Sequence, residues 1–403
     1  MPDKFPIRPV LLACLIVSIG QLSVGLLFPA LPSIAQNFSL NAEQVQRLIS
    51  YYLLGFGPSQ LFYGPLSDAI GRKPVLLTGI AISIVGLALT VWGGDTFALL
   101  LWGRFLQGLG AGCCSVLSRA SLRDSYSYQH LALAMTWLGI VASFSPIIAP
   151  VIGGFVNHHF GWLAVFVVML SYIGLVWMIL AVSFKETVNT KSHVPPMKTV
   201  LSDYKKLITS SYFISFSGIG WLNYSMVVVA ISVIPFVMQV QIGMTSDQYA
   251  MWALIPAFGL LLGGTICNKL RPRFGSENML KVAPCLHALA GIWLIVAPLT
   301  PAAIIAGQFL MVVANGIAFP CAQSQLLLPF KNKAGTTAAL GGAMQMVTAS
   351  LLSMFLMMLG MSKAWHLGLL LVCVGILGSG LVRAGFSEKN RLDDEGNFQQ
   401  DRP

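Results

Sequence analysis

Apolar runs of about 20 residues recur along the whole chain of 403 residues. Each is long enough to cross the ~30 Å hydrocarbon core of a bilayer. Inside lipid, every backbone N–H and C=O must be paired within its own segment, so such runs are expected to be helices. A membrane β-barrel would show shorter, alternating segments. The expected spans are 9–29, 45–66, 75–93, 97–117, 131–155, 162–183, 212–238, 248–268, 280–298, 301–328, 336–360 and 364–383, with Pro320 and Pro329 blurring the end of the tenth. Charged residues make up 9% of the chain and hydrophobic ones 56%, against roughly a quarter charged in soluble proteins. A soluble core of this length could not hide that much apolar surface.

The net charge of +10 would suit a nucleic-acid binder, but its distribution excludes that reading. With an even number of spans and a cytoplasmic N-terminus, only Arg47 and Lys363 fall on the far side, and Arg104 falls within a span. Every other Lys and Arg lies on the cytoplasmic side, which is the positive-inside pattern. Lys4 and Arg8 ahead of an apolar run resemble a signal peptide. An uncleaved first helix is expected, because its removal would invert the charge pattern. All seven Cys lie in apolar spans without metal-ligand spacing, so they read as small buried hydrophobes and neither zinc nor disulfides are expected.

The longest polar stretch between spans, 185–211, carries five Lys and the pair Pro195-Pro196 with little apolar periodicity. It separates a six-helix bundle at 1–184 from a second at 212–386, and a charged cytoplasmic tail is expected over 387–403. Arg72-Lys73 after the second span are echoed by Lys269 to Gly275 after the eighth. Gly108-Leu109-Gly110 in the fourth is echoed by Asn315-Gly316-Ile317 in the tenth. Two six-span repeats with a site at their interface is a transporter architecture.

Three constellations carry chemistry. Gly64-Pro65-Leu66-Ser67-Asp68-Ala69-Ile70-Gly71-Arg72-Lys73-Pro74 forms a tight cytoplasmic turn. Asp68 sits at a helix C-terminus, where the dipole disfavours an anion, and so needs Arg72, Lys73 or the positive end of another helix near Gly335-Thr336-Thr337. Such pairing would make a charge latch; a solvated turn that only sets topology is the other reading. In the fourth span, Arg104, Gln107, Gly108 and Gly112 combine a cation ~10 Å deep with small-xxx-small spacing. A buried cation is a functional candidate, or it braces the first helix through backbone carbonyls or Gln21. In the fifth span, Pro146 and Pro150 kink the helix, and Gly153 and Gly154 give it a smooth face.

Together these segments resemble the major facilitator superfamily, in particular the twelve-span drug:proton antiporters of Bcr/CflA type. The likeness extends through Ser59-Gln60-Leu61-Phe62-Tyr63, Arg123-Asp124, Phe319-Pro320 and the helix exit Phe28-Pro29-Ala30-Leu31-Pro32. Ala69 and Leu163 stand where that family usually has a basic residue. The resemblance implies an all-α membrane protein of two six-helix bundles in the bacterial inner membrane, monomeric and without cofactor. It implies alternating access and export of lipophilic drugs in exchange for protons, with Pro146 to Gly154 marking export. An endogenous metabolite, such as a siderophore or amino-acid derivative, is the rival cargo, and an uncoupled facilitator the rival mechanism. No nucleophile–base pair, metal-ligand spacing or phosphate-cradling GxxxxGK[ST] suggests an enzyme or direct use of ATP.

In that fold the substrate-cavity candidates are Gln21, Tyr52, Phe56, Gln60, Trp137, Trp221, Asn223, Asn315 and Gln345. They are polar or aromatic residues on lining helices, suited to a mostly apolar ligand. Met344, Met346, Met354, Met357 and Met358 would either support a re-packing surface or face lipid and core. No acid falls near the middle of any span, so the proton-coupling candidates are Glu43, Asp68 and Asp124 near the membrane edge. His287 sits in a span that is peripheral in this fold, which favours a structural role.

Overall fold

The computed structural model describes residues 6–188 and 197–394, and no strand occurs among them. The first span is composite: α1 (Ile7–Gly25) leads through a 3-10 turn at Phe28–Ala30 into the short α2 (Leu31–Asn37). The turn falls at Pro29 and Pro32, where missing N–H donors interrupt the α-helical ladder. Then follow α3 (Ala42–Ile70), α4 (Arg72–Trp92), α5 (Phe97–Ser125), α6 (Tyr128–Phe160) and α7 (Trp162–Ser183). After the linker helix α8 (Met197–Ile208) come α9 (Ser211–Phe236), α10 (Ser246–Val296), α11 (Pro301–Leu327), α12 (Ala334–Met358) and α13 (Ala364–Asp394).

Among the described residues, ten helices are long and apolar enough to cross a membrane. Two sequence details bring this to the twelve expected spans. The 51-residue α10 breaks at Gly275, whose φ of 78° is non-helical, and so contributes two. The 29-residue α3 is long enough but more polar, because its central stretch carries Ser50, Tyr51, Tyr52, Pro58, Ser59, Gln60 and Tyr63 among its apolar residues. Its start is fixed by a capping box: Asn41 Oδ1 accepts from the Gln44 N–H at 2.8 Å, and Gln44 Oε1 accepts from the Asn41 N–H at 3.0 Å. Gly71 (φ 115°) and Gly161 (φ 80°) break the chain between α3 and α4 and between α6 and α7, a backbone that favours glycine.

The chain forms two compact units, Met1–Pro195 with Gly243–Leu254, and Pro196–Ile242 with Ile255–Pro403. In the first, Val10, Ala13 and Val17 of α1 bury against Leu122, Tyr126, Ala134 and Leu138 of the α5–α6 region. In the second, Phe213 and Phe216 of α9 pack with Cys267, Leu280, Ile317 and Val382. Within each unit the same device brings helices together. A Cβ at Gly55 would lie 2.3 Å from Phe105 O, and one at Gly108 would lie 2.0 Å from Tyr52 O. In the second unit, a Cβ at Gly263 would lie 2.2 Å from Val313 O and one at Gly316 2.6 Å from Leu260 O. Gly55 and Gly108 stand at the same separation in sequence as Gly263 and Gly316, so the repeat suspected from scattered echoes is a repeated backbone contact.

Several expectations change. The 185–211 stretch is not purely irregular: Val200, Tyr204 and Leu207 fall on one face of α8, and Leu207 is buried in the second unit's core. The i, i+4, i+7 spacing was present but hidden among lysines. α13 runs to Asp394, past the expected start of the tail, because its polar last turns can remain helical outside lipid. Cys285 and Cys373 are exposed rather than buried, while Cys113, Cys114, Cys267 and Cys321 are buried free thiols. The methionines of α12 divide, with Met357 buried and Met358 64% exposed.

Gly108→Ala places a methyl against the Tyr52 carbonyl and is expected to lower the thermal midpoint in detergent sharply. Gly174→Ala, where a Cβ meets nothing within 4 Å, is expected to leave it unchanged or slightly raised. Equal midpoints for the two variants would contradict the close-contact account.

Candidate functional site

Four groups of residues within the two units hold the sequence-derived candidates. The first is the turn between α3 and α4. Asp68 and Arg72 are one helical turn apart, and Arg72 Nη2 lies 2.5 Å from Asp68 Oδ1. Arg72 Nε lies 2.9 Å from Asp124 Oδ2, at the end of α5, and its Nη1 donates to Ser67 Oγ at 2.6 Å. Only 4% of the Arg72 side chain is exposed, so this guanidinium is a buried hub that ties α3, α4 and α5 together. Lys73 contributes its backbone rather than its charge: its N–H donates to Glu186 Oε2 at 3.1 Å, and the Arg72 N–H to Glu186 Oε1 at 2.8 Å.

Glu186 was not anticipated. It follows α7 and caps the N-terminus of α4, which has no side-chain cap of its own because Gly71 occupies that position. A helix N-terminus attracts an anion through its free N–H groups and its dipole. Burial alone would raise the Glu186 carboxyl, but hydrogen bonds from the backbone N–H of Val188, Arg72, Lys73 and Thr187 outweigh it and hold the group below the usual carboxylate range. A Cβ at Gly71 would lie 2.5 Å from Glu186 Oε2, so Gly71 is required both by its φ and by this cap. The available signal was an α4 start with neither an acid nor a capping side chain. Gly64, about two turns earlier, meets only the side chain of Val116.

The second group surrounds Arg104, which is fully buried. Its Nη1 donates to Ser23 O at 3.0 Å and to Gln107 Oε1 at 2.6 Å, and its Nε to Leu48 O at 3.3 Å. The Tyr52 ring lies 4.5 Å from its Cζ, and Tyr52 stacks on Phe56. Nη2 has no hydrogen-bond partner. Arg104 therefore braces α1 and α3 through carbonyls, as one of the two sequence readings held, but Gln21 takes no part. Ser23 lies in the last turn of α1, whereas Leu48 lies inside α3. Gly112, on the same helix, would place a Cβ 1.9 Å from Ser59 Oγ.

The third group is the kinked α6. Pro146 and Pro150 both lie within it, and a Cβ at Gly25 would come within 2.5 Å of Ala149 Cβ. A Cβ at Gly153 would stand 2.1 Å from Leu26 O, and one at Gly154 2.6 Å from Ser246 O. Ser246 Oγ in turn donates to Gly154 O at 3.2 Å. The smooth face read from the glycines is thus occupied by backbone of α1 and of the first turns of α10.

The fourth group is the set of cavity candidates. In the first unit, Gln21, Phe56, Ser115, Arg119 and Leu138 border a cavity of about 230 Å³. Gln60 stands behind it, accepting from Ser115 Oγ at 3.1 Å. Trp137 is half-exposed on α6 and does not border this cavity. In the second unit, Asn315 Oδ1 lies 3.0 Å from His287 Nε2, with both side chains buried. Asn223 and His287 share a small gap of about 10 Å³. Trp221 Nε1 donates to Gly341 O at 3.1 Å, and Gln345 lies buried beside Gly220. Of the remaining proton-coupling candidates, Glu43 pairs with Arg47 at 2.8 Å. Among the described residues no cluster of His, Cys, Asp and Glu could hold a metal ion.

Comparison with known proteins follows this geometry. Residues 13–353 match the Major Facilitator Superfamily. The chain is 29% identical over 377 residues to Multidrug resistance protein D of Escherichia coli strain K12, covering 91% of this chain and 93% of that protein. It is 29% identical over 366 residues to Multidrug resistance protein MdtL of Escherichia coli O81 strain ED1a, covering 88% and 92%. Among solved structures it is similar in fold to a mutant of the nucleoside transporter NupG, with a TM-score of 0.75, 11% identity and coverage of 94% and 100%.

Arg72→Gln removes the cation shared by Asp68 and Asp124 and, of cations, leaves Asp124 only its longer contact with Arg123. A destabilisation on the order of 2 kcal/mol is expected, read as a lower thermal midpoint. Glu186→Gln is also expected to lower the midpoint at pH 7. A carboxyl held below its ordinary pKa contributes stability that is present above about pH 4.3 and is lost as pH falls through the folded value. The gap between wild type and Glu186→Gln should therefore close below about pH 4 in thermal melts. A gap that persists in acid would contradict the cap.

Proposed function

We propose, for a chain that belongs to the Major Facilitator Superfamily, that it exports lipophilic small molecules across the bacterial inner membrane by alternating access, coupled to protons. The observation that carries this reading is the cavity within the first unit, bordered by apolar side chains and a few polar ones. That is the lining expected of a small-molecule site. Two relatives bearing the name multidrug resistance protein support drugs as the cargo. The kinked α6, with Pro146, Pro150, Gly153 and Gly154 set against neighbouring backbone, supports export as the direction. The charge distribution supports both termini in the cytoplasm, and the protein is proposed to act as a monomer.

Coupling is assigned to the carboxylates at the membrane edge. Asp68 and Asp124 are both held by Arg72, and Glu43 by Arg47. Protonation of Asp68 or Asp124 would cancel one arm of the hub and loosen the α3–α4 turn from α5. Arg104 stays charged and acts by position, keeping α1 and α3 in register around the cavity.

The test is proton flux in proteoliposomes under an imposed pH gradient while neutral antibiotics, lipophilic ions and metabolites are added. Substrate-dependent proton movement is expected, with Asp68→Asn uncoupling it and Arg104→Ala abolishing transport. Substrate movement with no accompanying proton flux would sink the coupling assignment. Movement confined to one metabolite would replace drug export with export of that metabolite.

A further inference from the structure

The first unit's cavity contains a charge that no described residue neutralises. Arg119 lies on α5 and borders the cavity with Gln21, Phe56, Ser115, Met135 and Leu138. Its side chain is solvent-exposed. Among the described residues it has no hydrogen bond or ion pair, unlike Arg8, Arg47, Arg72, Arg104 and Arg123 of the same unit.

The unit's described acids lie elsewhere. Asp68 and Asp124 bind Arg72, Glu43 binds Arg47, and Asp247 lies 3.5 Å from His158. Glu186 is engaged by four backbone N–H groups. Asp95 precedes the start of α5 at Phe97, and the helical rise puts it more than about 30 Å from Arg119 along that axis. A guanidinium on a partly apolar wall and without a counter-ion raises the local potential and favours an anion there. Gln21 and Ser115 add polar groups beside it. The apolar side chains Phe56, Met135 and Leu138 line the same cavity as Gly139, where a Cβ would meet nothing within 4 Å. An apolar cavity of roughly 150 Å³ holds a benzene ring, so the 230 Å³ here admits an aromatic body together with a charged head.

We infer that Arg119 makes this cavity selective for amphiphiles carrying an anionic head, such as a carboxylate, on an apolar body, and makes it disfavour permanent lipophilic cations. This rests on the export reading and narrows its substrate class. Arg119 is the specificity-determining residue, its guanidinium donating to the anion while the apolar wall holds the body.

The experiment compares three ligands of matched shape: a lipophilic aryl carboxylate, its neutral methyl amide and a quaternary ammonium analogue. Equilibrium binding to the purified full-length protein and transport in proteoliposomes are measured for wild type, Arg119→Gln and Arg119→Lys. The carboxylate is expected to bind wild type about tenfold or more tightly than the amide, the gain of one hydrogen bond to a charged group. Arg119→Gln should erase that preference through KM and admit the cation. Arg119→Lys should restore part of the preference. Equal binding of carboxylate and amide to wild type, or an unchanged preference in Arg119→Gln, overturns the inference, even if all three ligands are transported. Arg119-dependent carboxylate binding with no transport of any ligand upholds the assignment of the cavity and overturns the export reading alone.

Discussion

The requirement that backbone N–H and C=O groups be paired away from water governs this chain. It turns each apolar run into a helix, and it also determines where polar side chains can be placed. Arg104 is tolerated at full burial because α1 and α3 offer it the carbonyls of Ser23 and Leu48, with Gln107 and the Tyr52 ring completing its surroundings. A buried cation without such acceptors would cost several kcal/mol. The two helices that supply the acceptors and the cation that uses them are parts of one arrangement.

The second organising feature is small residues at helix contacts. In lipid there is little hydrophobic drive between helices, so close van der Waals contact does the work. Gly55 with Gly108 in one unit and Gly263 with Gly316 in the other let backbones meet where a methyl group would collide with a carbonyl. The charged hub at Arg72 is possible only because this packing brings the end of α5 beside the α3–α4 turn. Apolar packing sets the distances, and the polar network then fixes the turn.

Much of this was legible in the sequence. Span positions followed from hydropathy, and the break at Gly71 from the Gly- and Pro-rich turn. Asp68 at a helix C-terminus called for a positive partner, with Arg72, Lys73 and another helix's N-terminus all open, and the structure selects Arg72. What escaped depended on tertiary proximity. Nothing local marks Glu186 as a cap for α4, since the two are distant in sequence. Arg119 reads as one more cytoplasmic cation until α1, α3 and α6 are seen to surround it. The face of α8 was masked by lysines that share its turns. Lys73 looked like a charge partner and proves to act through its N–H, a distinction that composition cannot carry. Gln21, read both as a brace for Arg104 and as a cavity residue, borders the cavity and takes no part in the brace.

The Glu186 cap also bears on how the protein is made. The N-terminus of α4 is satisfied by a carboxylate 114 residues further along. At bacterial or eukaryotic synthesis rates of roughly 5–20 residues per second, that acid emerges on the order of ten seconds after the turn it completes. Through that interval the N-terminus of α4 stands with its free N–H groups in water. The first bundle cannot reach its final form span by span. It closes only when the sixth span has left the insertion machinery, which makes the six helices a single unit of assembly rather than a series of hairpins.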